Sequence, residues 1–548
     1  MHRLVAAALG AIALAAASGA APFSAQAQPG PPRLLGLNVT NGGAPFAGDR
    51  RLLTTISPNG DGLRDRAVIH FRLRASANVR LSICITQLQP RAVYVHLYRL
   101  GPGPHSLVWA PGPKREPRTY LARLDVRNRF GRRVYGRPFA HRGRDAPVIR
   151  VLGIDAAFAA WSYRSGHDAE LRIATDAPDL RVQFFRSGPE FVDTKHSNVM
   201  HGETVTGPID VAWRWTNRPH PLPIRLPTAP SGLYFAKLTA PDGRVGYAPF
   251  VIRTDEPGSF SRVAVVMPTN TWEAYDFYDA DGNGWGDTWY AGPLAGPAVL
   301  RIGTHRPFLD RGVPPHFHEY DLGFLHWVSW SGRRVEYLTD PDIARFGTGK
   351  RLRKAYDVVW FPGHEEYVTS REYRVVRGFR NHGGSLAFLS ANNFYWRVVA
   401  DSGTLRRTRR WRDLGHPEAG LIGIQYRGND RGQHQRPYRV VRAGYAPWLF
   451  RNTALANGSH FGHFGIEVDG RARSSPRSTV VLAEIKHIFG RRVTAQMSYY
   501  HTRRGAKVFA FGAFTLAGAA TEPLEHTLID NLWNELVPPA PVATSPPG

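Results

Sequence analysis

Four compact apolar runs in the second half of the chain constrain its fold more than any other feature. They read "RVAVVMP", "YDVVWF", "GSLAFLS" and "KVFAFGAF". Stretches typical of amphipathic helices lie between and after them, such as "SREYRVVRGFRNH" and "PLEHTLIDNLWNEL". Buried strands that alternate with helices indicate a mainly parallel sheet that is covered on both faces. We therefore predict an α/β domain over residues 259–538.

The first half of the chain has a different pattern. Short runs of alternating apolar and polar residues, such as "AVIHFRLRA" and "AVYVHLYRL", are separated by turns rich in Gly, Pro and Asn. This pattern is typical of β-sandwiches, and it predicts one such domain over residues 34–145. Similar runs, such as "LRVQFFRSG" and "GLYFAKLTA", predict a second β domain over residues 146–258. The Pro-rich end at 539–548 is predicted to be a disordered tail.

Residues 1–27 have the pattern of a secretory signal peptide. His2 and Arg3 precede the apolar run "LVAAALGAIALAAA", and "SAQA" offers small residues at the cleavage spacing. We therefore expect cleavage after Ala27 and export, either to the periplasm or as a secreted protein. No later stretch reaches the roughly 18 apolar residues that span a bilayer, so we expect no transmembrane segment after the signal.

The composition disfavours several classes of function. The only cysteine, Cys84, lies in a strand-like run, so neither Cys–His catalysis nor an internal disulfide is expected. The net charge is +26, but only 7 of the 70 basic residues are lysines and the arginines are dispersed without a nucleic-acid-binding motif. We therefore expect no nucleic-acid partner. The nearest match to a serine elbow, "GGSLA" around Ser385, ends in Ala387 and is more typical of the start of a buried strand.

Two loops rich in Asp, Asn and Gly have the spacing of calcium sites. "DADGNGWGD" places candidate ligands at positions 1, 3, 5 and 9 of an EF-hand-like loop, but Tyr290 occupies position 12, where a bidentate Glu is expected. "SPNGDGLRD" has a related pattern. Such clusters also form ordinary turns, so both interpretations stay open. The candidate ligands are Asp279, Asp281, Asn283 and Asp287 in the 279–287 loop, and Asn59, Asp61 and Asp65 in the 59–65 loop.

Polar side chains follow the predicted buried strands of the α/β domain. Tyr367 ends "WFPGHEEY", Tyr395 lies in "LSANNFYW", and Glu467 lies in "HFGHFGIEVDG". Ligands of open α/β sheets bind at the carboxyl ends of the strands. Two phenols and a carboxylate are hard oxygen donors that suit a trivalent or hard divalent cation and are poor ligands for zinc. The alternative is that these aromatic residues only pack and form hydrogen bonds.

Five blocks in this order resemble the large (beta) subunit of N,N-dimethylformamidase over roughly residues 147–540. They are "VVMPTNTWEAYD", "VVWFPGHEEY", "GGSLAFLSANNFYW", "FGIEVD" and "GAKVFAFGAF". The resemblance implies a glutaminase-like α/β domain that has lost its cysteine and carries a mononuclear iron, Fe³⁺, held by two tyrosines and a glutamate. By motif, these ligands are Tyr367, Tyr395 and Glu467.

The 59–65 loop resembles a signature of immunoglobulin-like domains in bacterial surface and flagellar hook-capping proteins. This resemblance implies that residues 34–145 form an additional immunoglobulin-like domain, which could serve as a binding module. It supports the calcium interpretation of this loop somewhat more than its spacing alone does.

These features predict a secreted, metal-dependent amidohydrolase that cleaves the C–N bond of a small linear amide with an iron-activated water. A neighbouring base must move a proton to the leaving amine, and the candidates are His364, Glu366 and His463. The alternative is a non-catalytic envelope or surface-binding protein with a degenerate α/β scaffold. The sequence leaves open the substrate, a homo-oligomeric state and the presence of a small partner subunit.

Overall fold

The protein is multidomain and mostly β, with several separate sheets. The computed structural model describes residues 31–86, 91–136, 145–192, 197–291, 301–490 and 492–539. The predicted signal peptide and nearly all of the predicted tail lie outside these described residues. Within them, no helix has the length and apolar character that crossing a membrane requires.

Nine strands form the first β unit. They are β1 (Leu35–Thr40), β2 (Leu53–Ile56), β3 (Ala67–Leu73), β4 (Ala77–Ile85), β5 (Arg91–Leu100), β6 (Gly103–Trp109), β7 (Arg118–Asn128), β8 (Gly131–Tyr135) and β9 (Val148–Val151). One sheet has the order β1-β3-β6, and the other has the order β2-β9-β7-β4-β5 with β8 paired to β7. Alternate residues such as Ile69 of β3 and Leu81 of β4 fill a shared core. β9 belongs to this sheet through its pairs with β7 and β2.

Nine further strands form the second β unit. They are β10 (Asp155–Phe158), β11 (Ser162–Arg164), β12 (Asp168–Ala174), β13 (Asp179–Arg186), β14 (Glu203–Thr204), β15 (Ile209–Ala212), β16 (His220–Arg225), β17 (Gly232–Thr239) and β18 (Val245–Arg253). The sheets have the orders β10-β12-β16 and β11-β18-β17-β13-β14, with β15 paired to β13. Leu171, Phe184 and Phe250 share one core between them.

The third unit contains both strands and helices. Its strands are β19 (Val263–Met267), β20 (Arg301–Gly303), β21 (Glu336–Thr339), β22 (Val358–Phe361), β23 (Tyr367–Thr369), β24 (Ser385–Phe388), β25 (Trp396–Asp401), β26 (Thr404–Arg410), β27 (Gln425–Asn429), β28 (Gln435–Val440), β29 (His460–Gly470), β30 (Val480–Ile485), β31 (Ala495–His501), β32 (Lys507–Ala510) and β33 (Ala513–Phe514). Its helices are α1 (Thr269–Tyr275), α2 (Phe317–Tyr320), α3 (Leu322–Trp330), α4 (Asp340–Arg345), α5 (Gly349–Ala355), α6 (Ser370–Asn381), α7 (Ala419–Ile422) and α8 (Pro523–Leu536).

The main sheet of the third unit is mixed rather than mainly parallel. Its order is β21-β19-β22-β24-β32-β31-β30-β28-β29-β27, with β33 paired to β29. The first five strands in this order pair in parallel, and the other strands join in antiparallel pairs. The connection from β31 to β32 is a short turn, which permits only an antiparallel pair because a parallel pair needs a long crossover. The four quoted apolar runs mark only part of this sheet.

Apolar residues on both faces of the parallel strands explain why helices cover the sheet on each side. Val265 of β19 packs in the core that includes Trp327 of α3, whereas the next residue, Val266, packs in the core that includes Val376 of α6. Successive side chains of a strand point to opposite faces, so both cores need apolar partners. A capping box between Thr369 and Glu372 begins α6 directly after β23.

A second sheet of the third unit starts from the loops that follow β22 and β24. Its order is β20-β26-β25-β23, and β23 and β25 pair in parallel. Tyr367 is the first residue of β23, and Tyr395 directly precedes β25. This second sheet therefore fixes the positions of Tyr367 and Tyr395, two of the predicted ligands, next to the main sheet.

Candidate active site

The loops after β22 and β24 bring most of the predicted strand-end residues to one edge of the main sheet. The loop after β22 carries His364 and Glu366 and ends at Tyr367, and the loop after β24 ends at Tyr395. β22 and β24 are parallel neighbours, so both loops leave the same edge. Phe394 donates a backbone hydrogen bond to the carbonyl oxygen of Glu365 at 2.6 Å, which joins the two loops.

Glu467 reaches this edge from the antiparallel half of the sheet. It lies on β29, and its Oε1 accepts a hydrogen bond from Nδ2 of Asn429 at 3.2 Å. Two residues later, Asp469 accepts a hydrogen bond from the backbone N–H of Asn392 at 2.9 Å. Because Asn392 lies in the loop that leads to Tyr395, this bond ties β29 to that loop.

His364 lies between two buried carboxylates. Its Nε2 is 3.3 Å from Oε2 of Glu366 and 3.7 Å from Oε2 of Glu467. Burial lowers the pKa of His364, but the hydrogen bond with Glu366 and the charges of both glutamates raise it, and the net pKa is above the ordinary value. The imidazole is thereby suited to hold and pass on a proton.

The carboxylate of Glu467 lacks a full set of partners. Its Oε2 is buried and accepts no hydrogen bond. Burial raises the pKa of Glu467 to about 7; the charge of Glu366 adds to this rise, and His364 opposes it. A buried carboxylate oxygen without a donor is unfavourable unless a proton or a cation satisfies it, so this atom is a candidate ligand.

Two further tyrosines, which the sequence did not single out, surround Glu366. Oε2 of Glu366 accepts hydrogen bonds from the hydroxyl groups of Tyr275 at 2.9 Å and Tyr290 at 3.0 Å. The Tyr275 hydroxyl also lies 3.2 Å from Nε2 of His364, and the Tyr290 hydroxyl contacts that of Tyr367. Tyr290 stands at position 12 of the EF-hand-like pattern, where a Glu is expected. This mismatch was the one sign in the sequence that Tyr290 has another role.

The two predicted phenolate ligands differ in their environment. Tyr367 is fully buried, and burial and then Glu366 raise its pKa well above the usual range, whereas Arg407 lowers it. Tyr395 is half-buried, with its ring centre 5.0 Å from that of Tyr426. The side of the site at Tyr395 is therefore the side nearer to solvent.

Tyr426 connects Tyr395 with the buried part of the site. Burial is the main cause that raises the pKa of Tyr426, and the charges of Glu467, Tyr395 and Glu366 raise it further. The guanidinium of Arg412 lies 5.1 Å from the ring centre of Tyr395. Hydrogen bonds with Asp413 and, to a lesser extent, with Tyr395 raise the pKa of Arg410. Two arginines therefore lie beside Tyr395.

Left-handed backbone conformations of non-glycine residues cluster beside the site. Asn392 and Phe394 have φ of +54° and +57° in the loop before Tyr395, and Ile466, directly before Glu467, has φ of +60°. Asn tolerates this region, but a β-branched residue there is strained. Strained residues of this kind are concentrated at functional sites, where the surrounding structure holds them in place.

The donor set fits a hard, trivalent cation better than zinc. Tyr367, Tyr395 and Glu467 offer only oxygen atoms, and Oε2 of Glu467 accepts no hydrogen bond that would occupy it. Arg407 lowers the pKa of Tyr367, although burial outweighs this effect. The residues that are present therefore fit the iron that the resemblance implies.

His463 is placed differently from the other predicted proton-transfer residues. It lies on β29 but is exposed, whereas His364 and Glu366 are buried beside Glu467. A narrow cleft opens next to His364 and is lined also by Tyr275, His316 and Tyr320. His364 and Glu366 are therefore better placed to act on a small substrate.

The 279–287 loop brings three carboxylates together. Oxygen atoms of Asp279, Asp281 and Asp287 lie within 4.8 Å of one another. Burial and then the charges of Asp287 and Asp281 raise the pKa of Asp279 to about 7, although its hydrogen bond with Thr119 opposes this. The side chain of Asn283 instead donates to Asp281 at 2.9 Å. The carboxylates of this loop could hold a cation.

In the 59–65 loop, the predicted ligands serve as acceptors for turn amides. Asp65 accepts from the backbone N–H groups of Gly60 at 3.2 Å and Gly62 at 2.9 Å. Asp61 accepts from Leu63 at 2.7 Å and from the side chain of Asn59 at 2.9 Å. These bonds are those of ordinary Asx turns, and calcium binding at this loop stays a prediction.

Comparisons with known proteins give one informative match. The family model described as "N,N-dimethylformamidase beta subunit-like, C-terminal" matches residues 181–526. No match was found among curated proteins. Similar solved structures include the Yersinia pseudotuberculosis adhesin InvE, with 14% identity, coverage of 40% of this chain and 58% of that chain, and a TM-score of 0.15.

Two structures of Salmonella alpha-2-macroglobulin are also similar to part of the chain. A mutant has 10% identity, coverage of 40% of this chain and 16% of that chain, and a TM-score of 0.21. The form reacted with methylamine has 10% identity, coverage of 41% and 17%, and a TM-score of 0.20. The chain thus spans less than two thirds of each of these proteins, and TM-scores this low support no argument.

Proposed function

Because this chain belongs to the N,N-dimethylformamidase beta subunit-like family, whose model matches more than half of it, we propose that it is a metal-dependent amidohydrolase. Its reaction would be hydrolysis of the C–N bond of a small amide. The observation that carries this proposal is the buried cluster of His364, Glu366 and Glu467, with Tyr367 beside it and one carboxylate oxygen without a partner.

Tyr367, Tyr395 and Glu467 would hold a mononuclear ferric ion. When bound, such an ion supplies Lewis acidity, which polarises an amide carbonyl and lowers the pKa of a water molecule. Oε2 of Glu467 accepts no hydrogen bond, so it is available as a ligand. Burial and Glu366 raise the pKa of Tyr367 more than Arg407 lowers it, so its phenolate form would depend on the bound ion.

His364 would transfer the proton that amide hydrolysis requires. Its Nε2 faces both glutamates and lines the cleft, so it can accept a proton from an attacking water and deliver it to the leaving nitrogen. Tyr275 and Tyr290 donate hydrogen bonds to Glu366 and so hold this carboxylate next to the imidazole.

The first test is the metal content and colour of the purified protein. We expect about one iron per chain and a visible phenolate-to-iron charge-transfer band. Tyr367→Phe, Tyr395→Phe and Glu467→Gln should each weaken iron binding and shift or bleach the band, because each removes one donor. Tyr120→Phe, at a buried tyrosine of the first β unit, is the matched control and should change neither. An iron-free protein that hydrolyses amides, or Tyr→Phe variants with full iron occupancy, would contradict the proposal.

The second test separates the three proton-transfer candidates. With a small amide substrate and detection of the released amine, His364→Gln should lower kcat by roughly 10²–10⁴-fold, the usual contribution of a general acid–base residue. His463→Gln should leave kcat nearly unchanged because His463 is exposed. The iron band should persist in both variants, which would distinguish a proton-transfer role from loss of the metal.

We further propose export of the protein and binding of calcium at the 279–287 loop. Export is supported by the signal-like pattern of residues 1–27, and an activity reporter that works only outside the cytoplasm would test a fusion of residues 1–33. Calcium binding is supported by the three converging carboxylates of the loop.

A further inference from the structure

Three buried carboxylates, none of which pairs with His364, form a second cluster in the third unit. They belong to Asp340, Glu365 and Glu372, and one oxygen of each lies within 4.8 Å of the others. All three residues are at most 1% exposed. Asp340 begins α4 after β21, Glu365 lies in the loop after β22, and Glu372 lies in the first turn of α6. The cluster thus joins three segments at the carboxyl edge of the main sheet.

Hydrogen bonds satisfy only one side of this cluster. Oδ2 of Asp340 accepts from the Thr269 hydroxyl at 3.0 Å and from the Asn270 N–H at 2.7 Å. Oε2 of Glu372 accepts from the backbone N–H of Thr369 at 3.2 Å, as part of the capping box of α6. The second oxygen of each of these two carboxylates, Oδ1 of Asp340 and Oε1 of Glu372, is buried and has no hydrogen-bond partner.

Glu365 is the decisive member of the cluster. Both of its carboxylate oxygens are buried without a hydrogen-bond partner, and the side chain points into the space beside Asp340 and Glu372. No lysine, arginine or histidine forms an ion pair with any of the three carboxylates in the described part of the chain. Burying a charge without a partner is highly unfavourable, so the cluster needs either protons or a bound cation.

We propose that Asp340, Glu365 and Glu372 form a second metal site, which binds a hard divalent cation such as Ca²⁺, Mg²⁺ or Mn²⁺. Carboxylate oxygens are the preferred ligands of these ions, and four of the six oxygens here are free to bind. Ligand oxygens on opposite sides of Ca²⁺ lie about 4.8 Å apart, and those around Mg²⁺ lie closer, so the cluster spans a suitable distance. This site does not depend on the proposed hydrolase function.

The cation would fix the loop that carries the active-site residues. Glu365 stands between His364 and Glu366, and its backbone N–H and C=O both bond to the loop after β24, through Asn393 at 3.2 Å and Phe394 at 2.6 Å. A cation that holds the Glu365 side chain against α4 and α6 would therefore restrict both loops at once. Its role would be structural and would not include contact with the substrate.

The test uses metal analysis of variants in an Asp281→Asn background, which weakens the 279–287 loop as a competing cation site. After dialysis against Ca²⁺, Mg²⁺ or Mn²⁺ and then against metal-free buffer, we expect about one divalent cation per chain for at least one of these ions. Glu365→Gln keeps the shape of the side chain but removes its charge, and it should abolish binding of this divalent cation. Glu372→Gln retains a capping box and should also reduce it.

A third variant separates this site from the iron site. Glu467→Gln should lower the iron content but leave the divalent cation bound, so failure of the iron assignment and failure of this inference are distinguishable. Addition of the cation should raise the melting temperature of the Asp281→Asn protein by mass action and leave that of the Glu365→Gln variant unchanged. Two results together would overturn the inference: the Asp281→Asn protein retains no ion, and Glu365→Gln raises the melting temperature equally with and without chelator. These results would mean that protons neutralise the cluster.

Discussion

At the scale of single residues, the backbone next to Glu467 is held in an unfavourable conformation. Ile466 has φ of +60°, and the pairing of β29 with β33 is irregular between Gly465 and Val468. A left-handed conformation costs an L-residue about 1–2 kcal/mol, and a β-branched side chain is among the least suited to it. The irregularity directs Glu467 towards His364, so local strain accompanies the placement of a predicted ligand.

Replacing Ile466 with a residue that tolerates this backbone should therefore stabilise the protein. We expect Ile466→Asn to raise the free energy of unfolding by about 1 kcal/mol, because relief of strain outweighs the loss of a partly exposed apolar side chain. Urea unfolding measures the change. Ile209→Asn, at a partly exposed isoleucine of the regular strand β15, is the control and should not stabilise. Equal destabilisation by both changes would show that Ile466 is not strained.

Burial of Glu190 makes stability depend on pH. One of its oxygens accepts the backbone N–H of Gly188 at 2.6 Å, and the other has no partner. Burial raises its pKa from 4.5 to about 7. The folded state therefore binds more protons than the unfolded state between these values, and its stability falls as the pH rises through this window.

The uncharged variant Glu190→Gln should remove this dependence. Relative to the parent protein, its free energy of unfolding should rise little at pH ~5 and by up to about 3 kcal/mol at pH ~8, because each pKa unit corresponds to about 1.4 kcal/mol. Urea unfolding at both pH values measures the difference. Glu256→Gln, at an exposed glutamate, should give no such pH-dependent gain. A gain that is the same at both pH values would contradict the assignment to charge burial.

At the scale of elements, the 279–287 loop connects the first β unit with the active site. Thr119 of β7 donates to Asp279 at 2.7 Å, and the guanidinium of Arg50 donates to the carbonyl oxygens of Asp281 and Gly282 at 3.0 Å each. The loop then leads to Tyr290, which bonds to Glu366. A cation in this loop would consequently affect both the contact with the first β unit and the site.

Chelation should therefore lower the melting temperature, and added Ca²⁺ should restore it. A ligand that binds only the folded state stabilises by RT ln(1 + [L]/Kd), or about 2.7 kcal/mol at 100-fold excess over Kd. Asp281→Asn should make this response smaller, because it removes one of three carboxylates. Asp255→Asn, at an exposed aspartate outside the loop, should respond as the parent protein does. A full calcium response in Asp281→Asn would exclude this loop as its source.

At the scale of the whole molecule, the sequence predicted the type of each region better than the way the regions meet. The apolar runs around Val265 and Trp360 correctly marked buried strands, because residues that are apolar on both faces have few other arrangements. Among the antiparallel strands beyond β32, β27 and β28 carry no comparable signal, since both are polar and short. Local patterns could not reveal that the mixed sheet continues through them.

The same limit applies to the site. Tyr367, Tyr395 and Glu467 could be selected because a motif surrounds each of them, and His364 and Glu366 because they stand in one of those motifs. Tyr290 was marked only by its departure from Glu at position 12 of the EF-hand-like pattern, and its contact with Glu366 joins residues 76 positions apart. The choice between His364 and His463 likewise required burial, which the residue type alone does not determine.

The packing of the first β unit on the 279–287 loop yields a prediction for the assembly of the molecule. Gly282 has φ of +64°, and a Cβ atom there would lie 2.4 Å from Cδ2 of Leu53 on β2. Gly243 has φ of +85° in a turn of the second β unit, with open space around it. Gly→Ala at either position introduces similar backbone strain, of order 1 kcal/mol, but only the change at Gly282 also requires the buried side chain of Leu53 to shift.

Gly282→Ala should accordingly destabilise the protein more than Gly243→Ala does. Calorimetry should show the first β unit unfolding in a separate, earlier transition, and limited proteolysis should cut near the loop sooner than in the parent protein. Leu53→Ala removes the clashing methyl groups, so the double variant should lose less stability than the sum of the single variants, which a double-mutant cycle measures. Equal effects of the two glycine changes, with strict additivity at Leu53, would mean that the loop does not hold the first β unit against the rest of the molecule.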